Sequence, residues 1–150
     1  MAKEIWKPGN MLYPLPVVMV SLADRNGKYN IITIAWTGTI CTSPPMVSIS
    51  VRPERYSYPI LKETGQFVIN LTTRELVRAT DYCGVKSGRE VDKFRELGLS
   101  PLKADKVSAP LIGESPVNIE CSVKEIIPLG SHDLFLAQVE AVHADERYMD

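Results

Sequence analysis

The sequence lacks the features that would indicate a membrane protein, a secreted protein or a nucleic-acid binder. Its longest apolar stretches, such as Val17–Val20 and Ile31–Trp36, are strand-sized and far shorter than the roughly 20 residues of a spanning helix. The opening residues, MAKEIWKPGN, contain no apolar segment of a signal peptide. The net charge is −1, and no basic block suited to a phosphate backbone is present. These absences predict a cytoplasmic protein that binds neither membranes nor nucleic acids.

Paired cysteines and metal-ligand spacings are also missing. The three cysteines, Cys41, Cys83 and Cys121, form no CxxC pair, which favours reduced thiols over a disulfide framework. Only His132 and His143 could add nitrogen ligands, and the spacing matches no zinc motif, so we expect no metal. No GxGxxG fingerprint indicates a dinucleotide site.

What the sequence does contain is typical of one globular domain. Its 150 residues, 45% hydrophobic and 23% charged, suffice to bury one core but not two, so we expect a single domain spanning residues 1–150.

The first third of the chain has the pattern of β structure. Pro16–Ala23 is a β-branched run, and Asn26-Gly27 is a hairpin signal. Tyr29–Cys41 is rich in Ile, Thr and Trp and predicts the next strand, which Ser43-Pro44-Pro45 must end. Met46–Arg52 alternates apolar and polar residues, as a half-buried strand does.

The middle of the chain predicts short helices around another strand. A helix from a Ser57 cap to about Glu63 is expected to end at Gly65, before the strand Gln66–Leu71. Thr72-Thr73-Arg74-Glu75 matches a capping box that opens a helix through about Cys83. Glu90–Leu97 predicts a further helical turn or two.

The last third predicts a hairpin of two long strands, Val117–Ile127 and Leu134–His143, joined at Pro128–Ser131. Six or seven strands with tight turns do not form the alternating pattern of a doubly wound sheet. A small closed β-barrel with helices packed on it is the expected architecture, because closure removes edge strands.

Four blocks of the chain resemble the flavin reductase-like family with the FMN-binding split barrel, and most closely its flavoredoxin branch. They are NIITIAWTGTICTSPPMVSISVRPERYSYP (30–59), KPGNMLYPLPVVMVS (7–21), CGVKSGREVDKF (83–94) and GSHDLFLAQV (130–139). The resemblance implies a mainly β, antiparallel Greek-key split barrel of about six strands with two or three short helices. It also implies a homodimer with two flavins at the subunit interface. Members of the family usually continue past the equivalent of Asp150, so we expect the C-terminal end to be short relative to them.

The resemblance also implies where the flavin binds. The implied cofactor-binding residues are Thr33, Ile34, Ala35, Trp36, Thr39, Cys41, Thr42, Arg52, Arg55, Tyr56, Ser57 and Lys93. Arg52, Arg55 and the Ser57 hydroxyl suit a phosphate at a helix start, and Lys93 is the further cation implied there. The alternative is that these side chains only decorate a turn and a solvated helix.

The ring and ribityl chain of the flavin are implied to lie along Thr33–Trp36 and Thr39–Thr42. Small residues there let the backbone donate to the ring edge, and threonine hydroxyls suit ribityl oxygens. Trp36 either walls the cofactor or is plain core. Cys41 is a catalytic thiol or, as we favour, a small packing residue.

His132, in Gly130-Ser131-His132, matches a family turn near the flavin face and is the candidate catalytic residue; the alternative is a solvated turn histidine. The resulting hypothesis is an FMN-binding, or FAD-binding, oxidoreductase that takes electrons from NAD(P)H or a protein donor and passes them to a small acceptor. Two alternatives stay open. One is a flavin reductase with exchangeable FMN or FAD that supplies a partner oxygenase, and the other is a non-catalytic flavin or haem module or sensor.

Overall fold

The computed structural model describes residues 1–150 as nine strands and three α-helices. The strands are β1 Val18–Ala23, β2 Tyr29–Ile34, β3 Thr37–Cys41, β4 Met46–Val51, β5 Gln66–Leu71, β6 Pro101–Leu102, β7 Leu111–Ile112, β8 Val117–Pro128 and β9 Asp133–Ala144. The helices are α1 Ser57–Thr64, α2 Val77–Val85 and α3 Lys93–Leu97, with 3₁₀ turns at Arg74–Leu76 and Glu146–Tyr148.

Seven strands form one antiparallel sheet in the order β2-β1-β5-β8-β9-β4-β3. The two strands at its opposite edges, β2 and β3, are consecutive in the chain, with only Ala35 and Trp36 between them. A link this short cannot span an open sheet, since each residue advances the chain by at most about 3.6 Å. The sheet therefore curls until its two edges meet, and the predicted split barrel is confirmed.

The barrel interior holds the main hydrophobic core, which alternate residues of the strands supply. On β1, Val18, Val20 and Leu22 point inward, and on β4, Val47 and Ile49 do the same. Phe67 on β5 and Phe135 on β9 add two aromatic rings to this core, and both are fully buried.

The opposite face of β1 and β2 is covered by helices. Met19 and Ile31 pack outside the barrel against α2 and α3, where Cys83 and Phe94 are buried with them. This second core explains why every residue of β1 is buried. It also fixes α2 and α3 beside the end of β2, where the candidate site lies.

Most predicted elements occur within one or two residues of their predicted limits. The helix predicted over Glu90–Leu97 begins only at Lys93, and there are three further differences. Tyr29–Cys41 is two strands rather than one, because the run bends at Ala35–Trp36. Ser57 is the first residue of α1 and not its cap, because Tyr56 occupies the cap position; the Ser57 hydroxyl accepts a hydrogen bond from Asn30. The capping box is wrong: the Thr72 hydroxyl donates to the Val17 carbonyl oxygen at 2.9 Å, and Thr73 precedes a 3₁₀ turn without a side-chain capping bond.

No helix in the structure is both long enough and apolar enough to cross a membrane.

Candidate active site

A cavity of about 200 Å³ opens at the bend where β2 ends and the barrel splits. We call it the corner cavity. Its lining residues are Ile32, Thr33, Ile34, Ala35, Trp36, Ser50, Val51, Arg52, Arg55 and His132. The bend itself makes the cavity, because β2 turns away from β1 at Ala35 to pair with β4 as β3.

Trp36 and His132 pack against each other in the wall of the corner cavity. Their ring centroids are 4.6 Å apart and their planes are inclined by 33°. The Ser131 hydroxyl lies 2.8 Å from Nδ1 of His132, which leaves Nε2 free. Burial lowers the pKa of His132, Arg52 lowers it further, and Glu54 opposes them. The imidazole is therefore neutral at neutral pH.

A second cavity, also about 200 Å³, adjoins the first and shares Ile32 and Arg55 with it. We call it the cationic cavity. Its residues are Asn30, Ile32, Glu54, Arg55, Tyr56, Ser57, Val85, Lys86, Ser87, Gly88, Arg89 and Lys93. Four of these side chains are basic and one is acidic, so the cavity attracts an anion.

Fixed hydrogen bonds hold the donors of the cationic cavity in place. Arg55 donates from Nη2 to the Gly84 carbonyl oxygen at 3.3 Å. The Asn30 side chain donates to the Ser57 hydroxyl at 2.8 Å, so that hydroxyl keeps its own proton for another acceptor. Ser57 opens α1, where the Tyr58 N–H already donates to the Arg55 carbonyl at 3.0 Å and Pro59 has no N–H, so the Ser57 N–H is the backbone donor left for a ligand at the first turn. An anion here meets oriented donors and a helix N-terminus.

Lys93 is buried at the floor of the same cavity, only 2% exposed. Its ammonium donates to the Ile31 carbonyl at 2.5 Å and to the Cys83 carbonyl at 2.9 Å, which leaves one of its three N–H groups unused. Burial lowers the pKa of Lys93 to about 8, with Arg55 adding to the shift and Cys83 opposing it. Burial raises the pKa of the Cys83 thiol to about 11, so this thiol is unreactive at neutral pH.

The loop after α2 supplies donors that the sequence reasoning missed. Arg89 lies over the Tyr56 ring, 5.9 Å from its centroid. A Cβ at Gly88 would stand 2.5 Å from Asn30 Oδ1 and 2.5 Å from the Tyr56 ring, so only glycine allows this approach. The basic–glycine run KSGR within the block 83–94 could have indicated an anion-binding loop.

The structure brings most of the predicted site residues together, and their roles stay predictions. Those lining one of the two cavities are Thr33, Ile34, Ala35, Trp36, Arg52, Arg55, Tyr56, Ser57, Lys93 and His132. Thr33 donates its hydroxyl proton to the Thr80 carbonyl oxygen at 2.5 Å, so it can only accept from a ligand. Thr39, Cys41 and Thr42 lie at the far end of β3 and beyond it, outside both cavities.

Together the two cavities offer one anion-binding subsite joined to one more apolar subsite. Arg55 lies at their junction. No three histidine, cysteine, aspartate or glutamate side chains form a group that could hold a metal ion. The arrangement suits a phosphorylated molecule with a flat, hydrogen-bonding ring.

Solved structures of similar proteins have the same architecture. Flavoredoxin of Desulfovibrio vulgaris (Miyazaki F) superposes with a TM-score of 0.92 at 35% sequence identity, covering 99% of this chain and 80% of that one. Flavoredoxin from Methanosarcina acetivorans superposes with a TM-score of 0.89 at 29% identity, over 99% of this chain and 79% of that one.

Sequence comparison agrees with the structural one. An uncharacterized protein of Aeropyrum pernix is 33% identical over 89% of this chain, which spans 51% of that relative's length. The profile of the flavin reductase like domain matches residues 10–150. With both the fold and most of the sequence matched, the chain belongs to the flavin reductase like domain family.

Proposed function

We propose that the chain is an FMN-binding oxidoreductase of the flavoredoxin type. The observation that carries the proposal is the continuity of the cationic cavity with the corner cavity through Arg55. FMN combines a phosphate with a flat ring of hydrogen-bonding edges, and the two subsites offer matching chemistry in that order. Membership of the flavin reductase like domain family, with a flavoredoxin 35% identical to this chain, supports a redox role over a purely structural one.

The hydrogen-bond donors of the cationic cavity suit a phosphate group. Arg55 and Arg89 offer guanidinium forks for bidentate contacts, and the Ser57 hydroxyl and the Lys93 ammonium each retain a free proton. Gly88 keeps the loop backbone close enough to face the same space. FAD would require the same phosphate donors, so these donors favour a phosphorylated flavin without distinguishing FMN from FAD. The family resemblance favours FMN.

The residues of the corner cavity bind and orient the ring. Trp36 offers an aromatic wall, and the strand backbone of Thr33–Ala35 runs along the cavity. When bound, the flavin supplies the electron transfer itself, and the protein orients and tunes it. His132 is neutral and has Nε2 free, so it can donate or accept one hydrogen bond at the ring or at a second reactant.

The electron donor in this proposal is NAD(P)H or a redox protein, and the acceptor is a small molecule. The test is an absorbance spectrum of the purified protein, titrated with FMN and then with NADH or NADPH under nitrogen. Flavin bands that persist on gel filtration and bleach with NADH or NADPH would support a reductase with a resident flavin. Bands that bleach only with dithionite would support an electron carrier. Flavin that washes off would favour the exchangeable flavin reductase that supplies an oxygenase.

A charge variant makes the titration specific to the cationic cavity. Arg89→Ala removes a cation whose side chain lies over the Tyr56 ring and makes no hydrogen bond within the chain. We expect at least a tenfold weaker FMN dissociation constant, while riboflavin, which lacks the phosphate, binds equally to both proteins. Arg95→Ala, on α3 outside the cavity, is the matched control. Equal FMN affinity in all three proteins, or no FMN binding at all, would refute the proposal.

A further inference from the structure

A further cavity lies between the β1–β2 hairpin and helix α3. We call it the hairpin cavity; its volume is about 400 Å³. Residues 27–29 of the hairpin line it, together with Phe94 and Arg95 of α3. None of its lining residues belongs to the corner cavity or to the cationic cavity. Its size is within the range of small-molecule sites, which is about 300–1,000 Å³.

Aromatic and apolar side chains line part of the hairpin cavity. The rings of Tyr29 and Phe94 meet edge to face, with centroids 5.9 Å apart and planes inclined by 61°. Phe94 and Leu99 are buried in the core outside the barrel, whereas Tyr29 keeps 40% of its surface exposed. A planar ring that enters the cavity can therefore stack on, or meet edge to face, rings whose positions are already fixed by packing.

Two cations at the hairpin cavity have no ionic partner in the chain. The side chains of Lys28 and Arg95 are exposed, and neither makes a salt bridge or a hydrogen bond. Nζ of Lys28 lies 5.5 Å from the centroid of the Tyr56 ring, which is a neutral group. Both cations therefore remain available to an anion that enters the cavity.

Two carboxylates hold the backbone at the hairpin cavity in place. Asp24 accepts hydrogen bonds from the N–H groups of Asn26 and Lys28, at 2.9 Å each, and these bonds fix the hairpin turn. Asp92 caps α3 by accepting from the Arg95 N–H at 3.2 Å. Asp92 is the one acidic residue that lines the cavity, against two basic ones, so positive charge is in excess there. An excess of one positive charge matches a monoanion.

We propose that the hairpin cavity is a binding site for a planar aromatic monocarboxylate of one or two rings. The ring of the ligand lies against Tyr29 and Phe94, and its carboxylate pairs with Arg95 and Lys28. The Arg95 guanidinium can bind both carboxylate oxygens, and the Lys28 ammonium adds a point charge. This site is independent of the proposed function, because neither cation lines the two cavities assigned to the flavin.

The experiment titrates the protein at pH 7 with 2-naphthoate and with 2-naphthol, which share a ring system and differ in charge. Fluorine-19 labelling of phenylalanine reports the site, because Phe94 lines the cavity while Phe67 and Phe135, the two other phenylalanines, lie in the barrel core. We expect 2-naphthoate to shift the Phe94 signal and neither of the others. It should also bind at least tenfold more tightly than 2-naphthol. Saturating FMN should change the naphthoate affinity by less than about twofold.

Substitution of the two cations locates the carboxylate. Arg95→Gln should weaken 2-naphthoate binding at least threefold, and the double variant with Lys28→Gln at least tenfold, while 2-naphthol binds equally to all variants. Neither side chain makes a hydrogen bond or salt bridge, so the fold is retained. Lys124→Gln, at an exposed position on β8, is the control for lost charge and keeps the wild-type affinity. An unshifted Phe94 signal, equal affinity for both probes, competition with FMN or an unaffected double variant would overturn the proposal.

Discussion

The cationic cavity requires a residue without a side chain at position 88, which is Gly88. In Gly88→Ala the new methyl group would collide with Asn30 Oδ1 and with the Tyr56 ring, at 2.5 Å from each. Because Asn30 also orients the Ser57 hydroxyl, the collision disturbs two phosphate donors at once. We expect FMN to bind at least tenfold more weakly, equivalent to about 1.4 kcal/mol, as measured by isothermal titration calorimetry.

A second glycine gives the control for Gly88. A Cβ at Gly113 would crowd the flexible Leu102 side chain at 3.2 Å, far from the cavity in the chain's β6–β7 ribbon. Gly113→Ala should therefore lower the unfolding temperature at most modestly and leave the FMN dissociation constant unchanged. Unchanged FMN affinity in Gly88→Ala would contradict the role of the loop.

Lys93 makes anion binding in the cationic cavity depend on pH. The pKa of Lys93 is lowered to about 8 by burial, so its ammonium loses its proton as pH rises through that value. A bound phosphate favours the charged form, hence the affinity for FMN is full below pH 8 and declines above it. We expect this decline in FMN titrations between pH 7 and pH 9.5, and riboflavin, without a phosphate, serves as the comparison. Lys93→Gln should flatten the profile; a profile equal to that of the wild type would exclude Lys93 as its source.

At the scale of elements, a buried carboxylate ties the long loop before β7 to the barrel. Glu120, on β8, is fully buried and accepts hydrogen bonds from the backbone N–H groups of Asp105, Lys106 and Val107. Nε2 of His143, on the adjacent β9, donates to the same carboxylate. This carboxylate thus anchors the first half of the loop, while Gln66 accepts two hydrogen bonds from Ser108 farther along it.

Replacing that carboxylate should weaken the loop anchor. Glu120→Gln loses acceptor strength, and we expect the free energy of unfolding in urea to fall by about 2 kcal/mol, the range for bonds to a charged group. Glu125→Gln, exposed on the same strand, should stay within about 0.5 kcal/mol of the wild type. If the free energy of unfolding of Glu120→Gln also stayed within about 0.5 kcal/mol of the wild type, other contacts would hold the loop.

The pH dependence of stability follows from the same carboxylate. Burial alone would raise the pKa of Glu120, but the bonds from His143 and the three N–H groups outweigh it and hold the pKa below its usual 4.5. The unfolded chain then binds the proton more readily than the folded one. The stabilisation is present above pH 4.5 and is lost as pH falls toward the lower folded value, and Glu120→Gln should lack this part of the acid dependence.

The elements also mark the limit of what the sequence could predict. Period-2 patterns and turn signals predicted the positions of the strands well, and the predicted strand Gln66–Leu71 has the same limits as β5. The bend at Ala35–Trp36 carries no proline or glycine, because barrel closure rather than local preference imposes it. Tertiary packing likewise explains why Asn30 and Gly88 were not predicted at the site. They meet only when α2 packs on β2.

At the scale of the whole molecule, closure of the barrel and formation of the site are one event. The bend that joins the two sheet edges creates the corner cavity, and α2 and α3 on the outer face of β2 complete the cationic cavity. Both cavities are open to solvent at the split. Apolar residues stay exposed on the N-terminal segment and along β3 and the bend before it, among them Leu12, Trp36 and Ile40.

The exposed apolar surface at the split should be covered by a second copy of the chain, in keeping with the homodimer that the family resemblance implies. Sedimentation velocity is expected to give a particle of twice the chain mass of 16.7 kDa. Ile40, 46% exposed on the edge strand β3, lies on this surface, so Ile40→Glu should shift the equilibrium toward the monomer. Val142→Glu alters a more exposed position on β9, 60% exposed, and should leave the dimer intact. If both variants sediment as the wild type does, the second copy binds elsewhere; if the wild type is a monomer, the two cavities are complete within one chain.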